Sequence, residues 1–427
     1  MRPVLMVAGR DPRDEISGGH SRYVVAHALA ACRAGFEPHL FCVGATAVDE
    51  ETEFGRIHRA RALARPLRQQ LIAVHGPLLL REVMRVARPL SPPHLIHGFG
   101  VWSWAAVRAA ERLSEGGAPA VSVLSSYTTY AEEAKSQVAA IGTTYGRLMR
   151  PRYALGQFLK RLATRPYERR AYMGAQVVLY NYESVRRLIA ATYGEKIRTR
   201  RTLYASPSAF GAAPSVADPP PPGLDVLMPR TAPLLVSVSR HQPRKGVDVF
   251  LRALARLRSG GLAFRAYLAG NGELLDEHRA LVGRLGLASS VVVSGTIPSV
   301  AGLLAWADVF VLPSRREQSG SLALLEALQA GLPSVASACD GIPEDVVHGE
   351  SAWLVPPGDD VALAEGLERL LGDADLRARL SRGARAIAAA RFSADAFAAD
   401  LRLAYEEALG LGMSGGDQVA AAAPTGR

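Results

Sequence analysis

Residues 309–331 read Val-Phe-Val-Leu-Pro-Ser-Arg-Arg-Glu-Gln-Ser-Gly-Ser-Leu-Ala-Leu-Leu-Glu-Ala-Leu-Gln-Ala-Gly. Val309–Leu312 is a short apolar run, which reads as a strand that Pro313 and Ser314 end. An apolar helix follows, beginning near Gly320 and stopped by Gly331. Strand, loop and helix in this order make one crossover unit of a parallel sheet. Outward from it the same alternation recurs. Leu234–Val238, Arg265–Ala269, Val291–Val293 and Ser334–Ala336 read as four more strands separated by helical sequence. Towards the start, Val4–Ala8, Pro38–Val43, Leu95–His97, Ala120–Leu124 and Gln176–Tyr180 form a second series, with a helix over Ser21–Ala34 after the first.

Between the two series lies Gly-Ala-Ala-Pro-Ser-Val-Ala-Asp-Pro-Pro-Pro-Pro-Gly within residues 211–233, a linker composition stiffened by four prolines. At 427 residues the chain is too long for one core. The sequence therefore predicts an α/β protein of two doubly wound parallel-sheet domains. The first covers residues 1–210, the linker 211–233 and the second domain 234–393; a long helix at 394–409 and a Gly/Ala-rich disordered tail at 410–427 complete it. Charged residues make up 21% and hydrophobic residues 48%, which excludes a disordered chain, a coiled coil and a collagen-like rod. Cys32, Cys42 and Cys339 lack disulfide-framework and metal-ligand spacing and suit a reducing compartment. No apolar stretch reaches membrane-spanning length, and Met1–Gly9 reads as a first strand rather than a signal peptide.

Charge is uneven. Residues 1–230 hold 31 Lys+Arg against 18 Asp+Glu, net +13, while the whole chain is +10. Arg56, Arg59, Arg61, Arg65 and Arg68, then Arg81, Arg85 and Arg88, then Arg147 to Arg170 carry the excess, with apolar residues between them at helical spacing. A solvated helix face, an anionic lipid surface and nucleic acid are the three readings; no nucleic-acid reader module is visible.

Chemistry-bearing residues gather after the strands of the second series. Arg240 and Lys245 lie between the strand Leu234–Val238 and the mouth of a helix, where unsatisfied N–H groups carry partial positive charge. Two added cations make a phosphate site. Glu326 lies in an apolar helix and needs a partner, either a ligand hydroxyl or an internal Arg. Glu317 sits on the loop before it, and two carboxylates near one helix mouth can grip vicinal hydroxyls. Gly18-Gly19, Gly270-Asn271-Gly272 and Gly295 permit close backbone approach. His97 ends a strand and reads either as a core histidine or as a cleft residue.

Taken together, the Gly-Gly loop, Ser239-Arg240…Lys245-Gly246, Gly270-Asn271-Gly272, Gly295-Thr296-Ile297-Pro298, Pro313-Ser314…Glu317, Leu324-Leu325-Glu326-Ala327 and Gly341-Ile342-Pro343-Glu344 resemble the retaining glycosyltransferases of family 4. That resemblance implies the GT-B architecture, two Rossmann-like domains facing a cleft with the last helix crossing back to the first. It also implies roles. Arg240 and Lys245 would bind the donor diphosphate and stabilise it as it leaves. Glu326 would hold the ribose and Glu317 the donor sugar, with Gln318, Ser319, Gly320 and Ser321 between them. Gly18 and Gly19 would approach the donor from the first domain, and Gly295, Thr296 and Ile297 would line the base. Eight residues separate Glu317 from Glu326 where the family has seven, so the first acidic role falls to Glu317 or Gln318. His97, Ser126 and Tyr127 are the acceptor-side candidates.

The resulting expectation is a metal-independent, cofactor-free transfer of sugar from a nucleotide-sugar co-substrate, guessed as a UDP-sugar, to a glycan, lipid or small-molecule hydroxyl. The protein would be cytoplasmic, with peripheral contact on the inner face of the cytoplasmic membrane and no nucleic-acid partner. A GT-B epimerase or hydrolase, and a GT-B protein that binds nucleotide sugar or membrane without transferring, are the alternatives.

Overall fold

The computed structural model describes residues 1–13, 19–61, 72–129, 132, 150–211, 221–227, 231–317 and 319–410. Two sheets organise these residues. The first comprises β1 (Arg2–Val7), β2 (Phe36–Gly44), β3 (Val48–Thr52), β4 (Gly55–Arg61), β5 (His94–Phe99), β6 (Ala120–Ser126), β7 (Val177–Tyr180) and β8 (Thr199–Arg201), in the order β3-β4-β2-β1-β5-β6-β7-β8. Every pairing is parallel except β3 with β4. The second sheet comprises β9 (Leu234–Val238), β10 (Arg265–Ala269), β11 (Val291–Gly295), β12 (Val309–Leu312), β13 (Ser334–Ser337) and β14 (Trp353–Val355), all parallel, in the order β11-β10-β9-β12-β13-β14.

Helices cover the first sheet: α1 (Gly19–Arg33), α2 (Ile72–Ala87), α3 (Ser103–Glu115), α4 (Arg150–Gly174) and α5 (Glu183–Tyr193). The second sheet carries α6 (Val247–Ser259), α7 (Leu275–Arg284), α8 (Val300–Trp306), α9 (Leu322–Gln329), α10 (Ile342–Asp345), α11 (Asp360–Gly372) and α12 (Ala374–Arg391). The central strands are fully buried because helices lie on both faces. Val309–Leu312 and Val177–Tyr180 are buried at every position, the pattern that makes parallel strands read as apolar runs.

The last helix, α13 (Ala394–Ala408), lies against α1 and the first sheet. Tyr405 meets Phe36 edge to face, and Asp400 takes a hydrogen bond from the Leu203 amide at 2.7 Å and another from Arg200 at 2.9 Å.

Three features depart from the expectation. Residues 55–61, taken as part of a helical basic stretch, form strand β4, and β3 adds an antiparallel edge beside it. Arg59 there points inward to the buried Asp11 at 2.9 Å. The second sheet has a sixth strand, β14, and the first has β8; each is three residues long. Arg65, Arg68, Arg147, much of the linker and the tail after residue 410 lie outside the described residues.

Candidate active site

The site starts with a turn. After β9, Pro243–Lys245 makes one 3-10 turn, and Gly246 (φ 63°) passes it into α6. A side chain at Gly246 would strike the carbonyl of Pro313, so the β9 turn presses directly on the chain leaving β12. The Arg315 amide donates to the Arg244 carbonyl at 2.8 Å. The Arg315 guanidinium forks onto Asp248 at 2.6 and 2.7 Å. Burial pulls the Asp248 carboxyl up, but Arg315 and Arg252 outweigh it and hold it at about 2. This lock fixes the loop that carries Glu317.

Glu317 is consequently held on four sides. Lys245 Nζ donates to its two oxygens at 2.7 and 2.5 Å, and the Ser314 hydroxyl donates to Oε1. Its backbone amide donates to Asp340 Oδ2 at 2.6 Å. Asp340 adopts φ 46°, a left-handed conformation that few non-glycine residues take. Glu317 and Lys245 have side chains 3% and 13% exposed, so the pair is largely desolvated. Burial pushes the Lys245 ammonium below its usual range, opposed by Glu317. Arg244 stands 3.8 Å from the same carboxylate. Arg240 is exposed; its carbonyl accepts from the Gln242 amide at 2.8 Å, and its guanidinium has no hydrogen-bond or ion-pair partner among the described residues.

Glu326 lies one helix away. Ser321 caps α9, accepting from the Leu324 amide, and places Glu326 on the buried side. Its partner is Arg22 of α1, which ion-pairs with Oε1 from across the cleft; Oε2 is buried with no hydrogen-bond partner. A buried carboxylate oxygen left open costs stability unless something else fills the place. Gly19 faces Leu322 at the start of α9. Tyr182, just after β7, donates to Asp345 Oδ2 at 3.1 Å, also across the cleft. Side chains at Gly320 or Gly341 would run into Tyr182. Burial raises the Asp345 carboxyl to about 7.

Gly295 ends β11 with its carbonyl accepting from the Gly270 amide at 2.7 Å; Thr296 beyond it is exposed and Ile297 half-buried. Ser319, Gly320 and Ser321 lie on the loop from Glu317 into α9. Gly18 and Gln318 lie outside the described residues. Glu317, by contrast, has a defined seat on Lys245.

Two of the three acceptor-side candidates, His97 and Ser126, need correction. His97 is fully buried, with Nδ1 on the Tyr405 hydroxyl at 2.7 Å and Nε2 on Ser125 Oγ at 2.8 Å. Burial pushes its pKa well below the usual value. It is a core histidine that ties β5 to α13, and no ring nitrogen is left for a ligand. Ser126 is also buried, 2.7 Å from the Tyr172 hydroxyl. Tyr127 is half-buried and its hydroxyl meets His20 Nδ1 at 2.6 Å, immediately after Gly19. His20 Nε2 has no partner, and burial with Arg10 nearby lowers its pKa to about 4, so the ring is neutral.

Sequence reasoning missed Arg22, His20, Tyr182, Asp345 and the Asp248–Arg315 lock. His20 follows the Gly-Gly pair directly, and Asp345 follows Glu344 between the apolar Ile342 and Val346; those were the available signals. Among the described residues no group of three His, Cys, Asp or Glu side chains is arranged to hold a metal ion.

The chain matches two family models. Residues 18–204 match a glycosyl transferase 4-like domain, and residues 232–373 match glycosyl transferases group 1. Alpha-D-kanosaminyltransferase of Streptomyces kanamyceticus is 30% identical over 177 residues, 41% of this chain and 46% of that protein. The chain spans less than two thirds of the length of the curated relatives it matches. Among solved structures, sucrose-phosphate synthase from Thermosynechococcus elongatus superposes with a TM-score of 0.72 at 21% identity, covering 96% of this chain and 100% of that one. Anabaena HepE in complex with UDP-glucose gives 0.62 at 18% identity, covering 96% and 100%.

Proposed function

The chain belongs to the GT-B glycosyltransferases, and we propose that it moves a sugar from a nucleoside-diphosphate sugar to a hydroxyl of a glycan, lipid or small-molecule acceptor, with retention and without a metal. The observation that carries this reading is the seat of Lys245 and Glu317 at the junction of the β9 turn, the β12 loop and the mouth of α9. Arg244 adds a cation 3.8 Å from the same carboxylate, and Arg240 is exposed on the loop that leaves β9. Departure of a nucleoside diphosphate builds negative charge on phosphate oxygens. Fixed cations in a partly dry cleft stabilise that charge without reorganising. In this reading Arg240 and Lys245 take the diphosphate, Glu317 lies beside the donor sugar, and the open oxygen of Glu326 takes a ribose hydroxyl with Arg22 holding the other. UDP is the proposed leaving group, supported by the likeness in fold to a protein solved with UDP-glucose.

The test is thermal stabilisation by UDP, GDP, ADP and CMP, on wild type and Lys245→Ala. Lys245→Ala alone strands the buried Glu317, so Lys245→Ala with Glu317→Gln serves as the folded control. One nucleotide that stabilises wild type and neither variant supports the reading. No stabilisation by any nucleotide, and no transfer from any donor, turns it to a GT-B protein that has lost transfer.

Peripheral membrane contact is a second element of the proposal, and α4 favours it. Leu155, Phe158, Leu159 and Leu162 are 55–60% exposed at the i, i+3, i+4, i+7 spacing of one helix face. α4 carries seven Lys/Arg and one acid. An exposed apolar face beside cations suits an anionic bilayer surface. No described helix is long and apolar enough to cross a membrane. Flotation with phosphatidylglycerol vesicles checks it: binding should weaken steeply with salt and be lost in Leu159→Asp.

A further inference from the structure

A cavity of about 250 Å³ opens between α4 and α5, beside the loop that leaves β6. Arg161, Arg165 and Arg169 line it. They stand at i, i+4 and i+8 on α4, so one strip of helix carries three guanidiniums. Like charges at that spacing repel one another. None of the three guanidiniums has an ion-pair or hydrogen-bond partner among the described residues, although two carboxylates stand in the same wall. Glu132 reaches the other way and pairs at 3.5 Å with Arg316, the residue before Glu317. Glu168 is buried behind the strip, where it and burial raise the Tyr172 and Tyr193 hydroxyls. The arginines therefore line a polar hollow without an ion pair of their own among the described residues, and Glu132 in the same wall links it to Arg316, next to Glu317.

We propose that this cavity binds a phosphate group of the acceptor, so that the transferase acts on phosphate-bearing acceptors. Three planar forks lining one hollow, all on exposed residues, match the many oxygens of a phosphate far better than they match neutral sugar hydroxyls. The acceptor role rests on the transferase reading above; the phosphate site itself does not. Two sources share the chemistry, a soluble phosphate ester and a lipid headgroup. A lipid would arrive with its chains on the neighbouring Leu155–Leu162 face.

The experiment is calorimetric titration of the full chain with inorganic phosphate, in saturating nucleoside diphosphate so that the Arg240/Lys245 site is occupied. Wild type should bind phosphate, and R161Q/R165Q/R169Q should bind it at least tenfold more weakly, with the nucleotide-induced thermal shift unchanged. Should the triple variant fold poorly, Arg165→Gln against Arg165→Lys gives the same contrast, the lysine keeping more of the affinity. Equal phosphate binding in wild type and variant, or none in wild type at 10 mM, overturns the site. If the nucleotide reading fails, the phosphate bound at this cavity is still the part lost in R161Q/R165Q/R169Q, so the two ideas fail separately. Dihexanoylphosphatidic acid separates the sources: affinity equal to that for inorganic phosphate indicates a soluble ester, and tenfold tighter binding that Leu159→Asp removes indicates a lipid. In transfer assays Arg165→Gln should raise KM for phosphorylated acceptors while kcat stays within threefold. Equal kcat/KM for phosphorylated and phosphate-free acceptors would overturn the acceptor role.

Discussion

Replacing Asp345 by Asn should stabilise the protein at pH 8 and do little at pH 4.5. Asp345 is 1% exposed, accepts a hydrogen bond from Tyr182 across the cleft, and has a second oxygen with no hydrogen-bond partner. Burial, only partly offset by Arg391, Tyr182 and Arg201, lifts its carboxyl from 3.8 to about 7. The sign follows from proton counting. Below pH 3.8 the carboxyl is protonated whether the chain is folded or not. Between pH 3.8 and 7 the unfolded chain has released the proton and the folded chain still holds it, so stability falls as pH rises. Above 7 the loss is complete. A shift of about three pKa units is worth about 4 kcal/mol, a sizeable part of a domain's net stability. Asn keeps an oxygen for the Tyr182 hydroxyl and never ionises. Every other titrating group is common to both proteins, so the wild-type-minus-variant difference isolates Asp345. Urea denaturation of both proteins at half-unit steps from pH 4.5 to 8.5 measures it. The advantage of Asp345→Asn in unfolding free energy should grow with pH and level off above 7, approaching about 4 kcal/mol. A difference that does not change with pH would refute the assignment of a neutral, buried carboxyl at this position.

Other perturbations follow from the same geometry. Lys245→Ala should cut sugar transfer by on the order of a hundredfold, the effect of removing one charge-assisted contact at a developing charge, read as kcat in a coupled nucleotide-release assay. Glu317→Gln should leave nucleotide stabilisation in place, because Lys245 then faces the diphosphate without competition, while transfer slows; lost nucleotide binding would count against the proposed roles. Gly246→Ala should cost about 2 kcal/mol or more by denaturant titration, since a left-handed φ and the Pro313 carbonyl both exclude a methyl group. His97→Leu should cost about 2 kcal/mol by orphaning the Tyr405 hydroxyl and leaving Ser125 with only His27 as imidazole partner, and should leave acceptor KM unmoved, as expected of a residue in the core.

What could be seen in the chain beforehand follows from range. The buried parallel strands announce themselves because each is covered on both faces, so Val309–Leu312 and Leu234–Val238 need no partner to be recognised. The β3–β4 hairpin does not, because it lies at the sheet edge. There Arg56 and Arg59 alternate with Ile57 and Ala60 at spacings that fit a helix face as well as a strand. β14 is three residues long, too short for any period to register. In the site, what a single segment determines is legible: the basic turn after β9, the Ser321 cap, the buried position of Glu326. What two distant segments determine is not. Lys245 and Glu317 are 72 residues apart, and their pairing depends on Gly246 letting the two loops touch. Glu326 was marked as needing a partner, but that the partner is Arg22 depends on how two domains meet 304 residues apart. His97 shows the same limit from the other side. A histidine at the carboxyl end of a parallel strand stands where ligands bind. It becomes a core residue only because Tyr405, 308 residues later, arrives on α13 to cover it. Locally His97 reads either as a core histidine or as a cleft residue, and only the return of the last helix to the first sheet decides for the core.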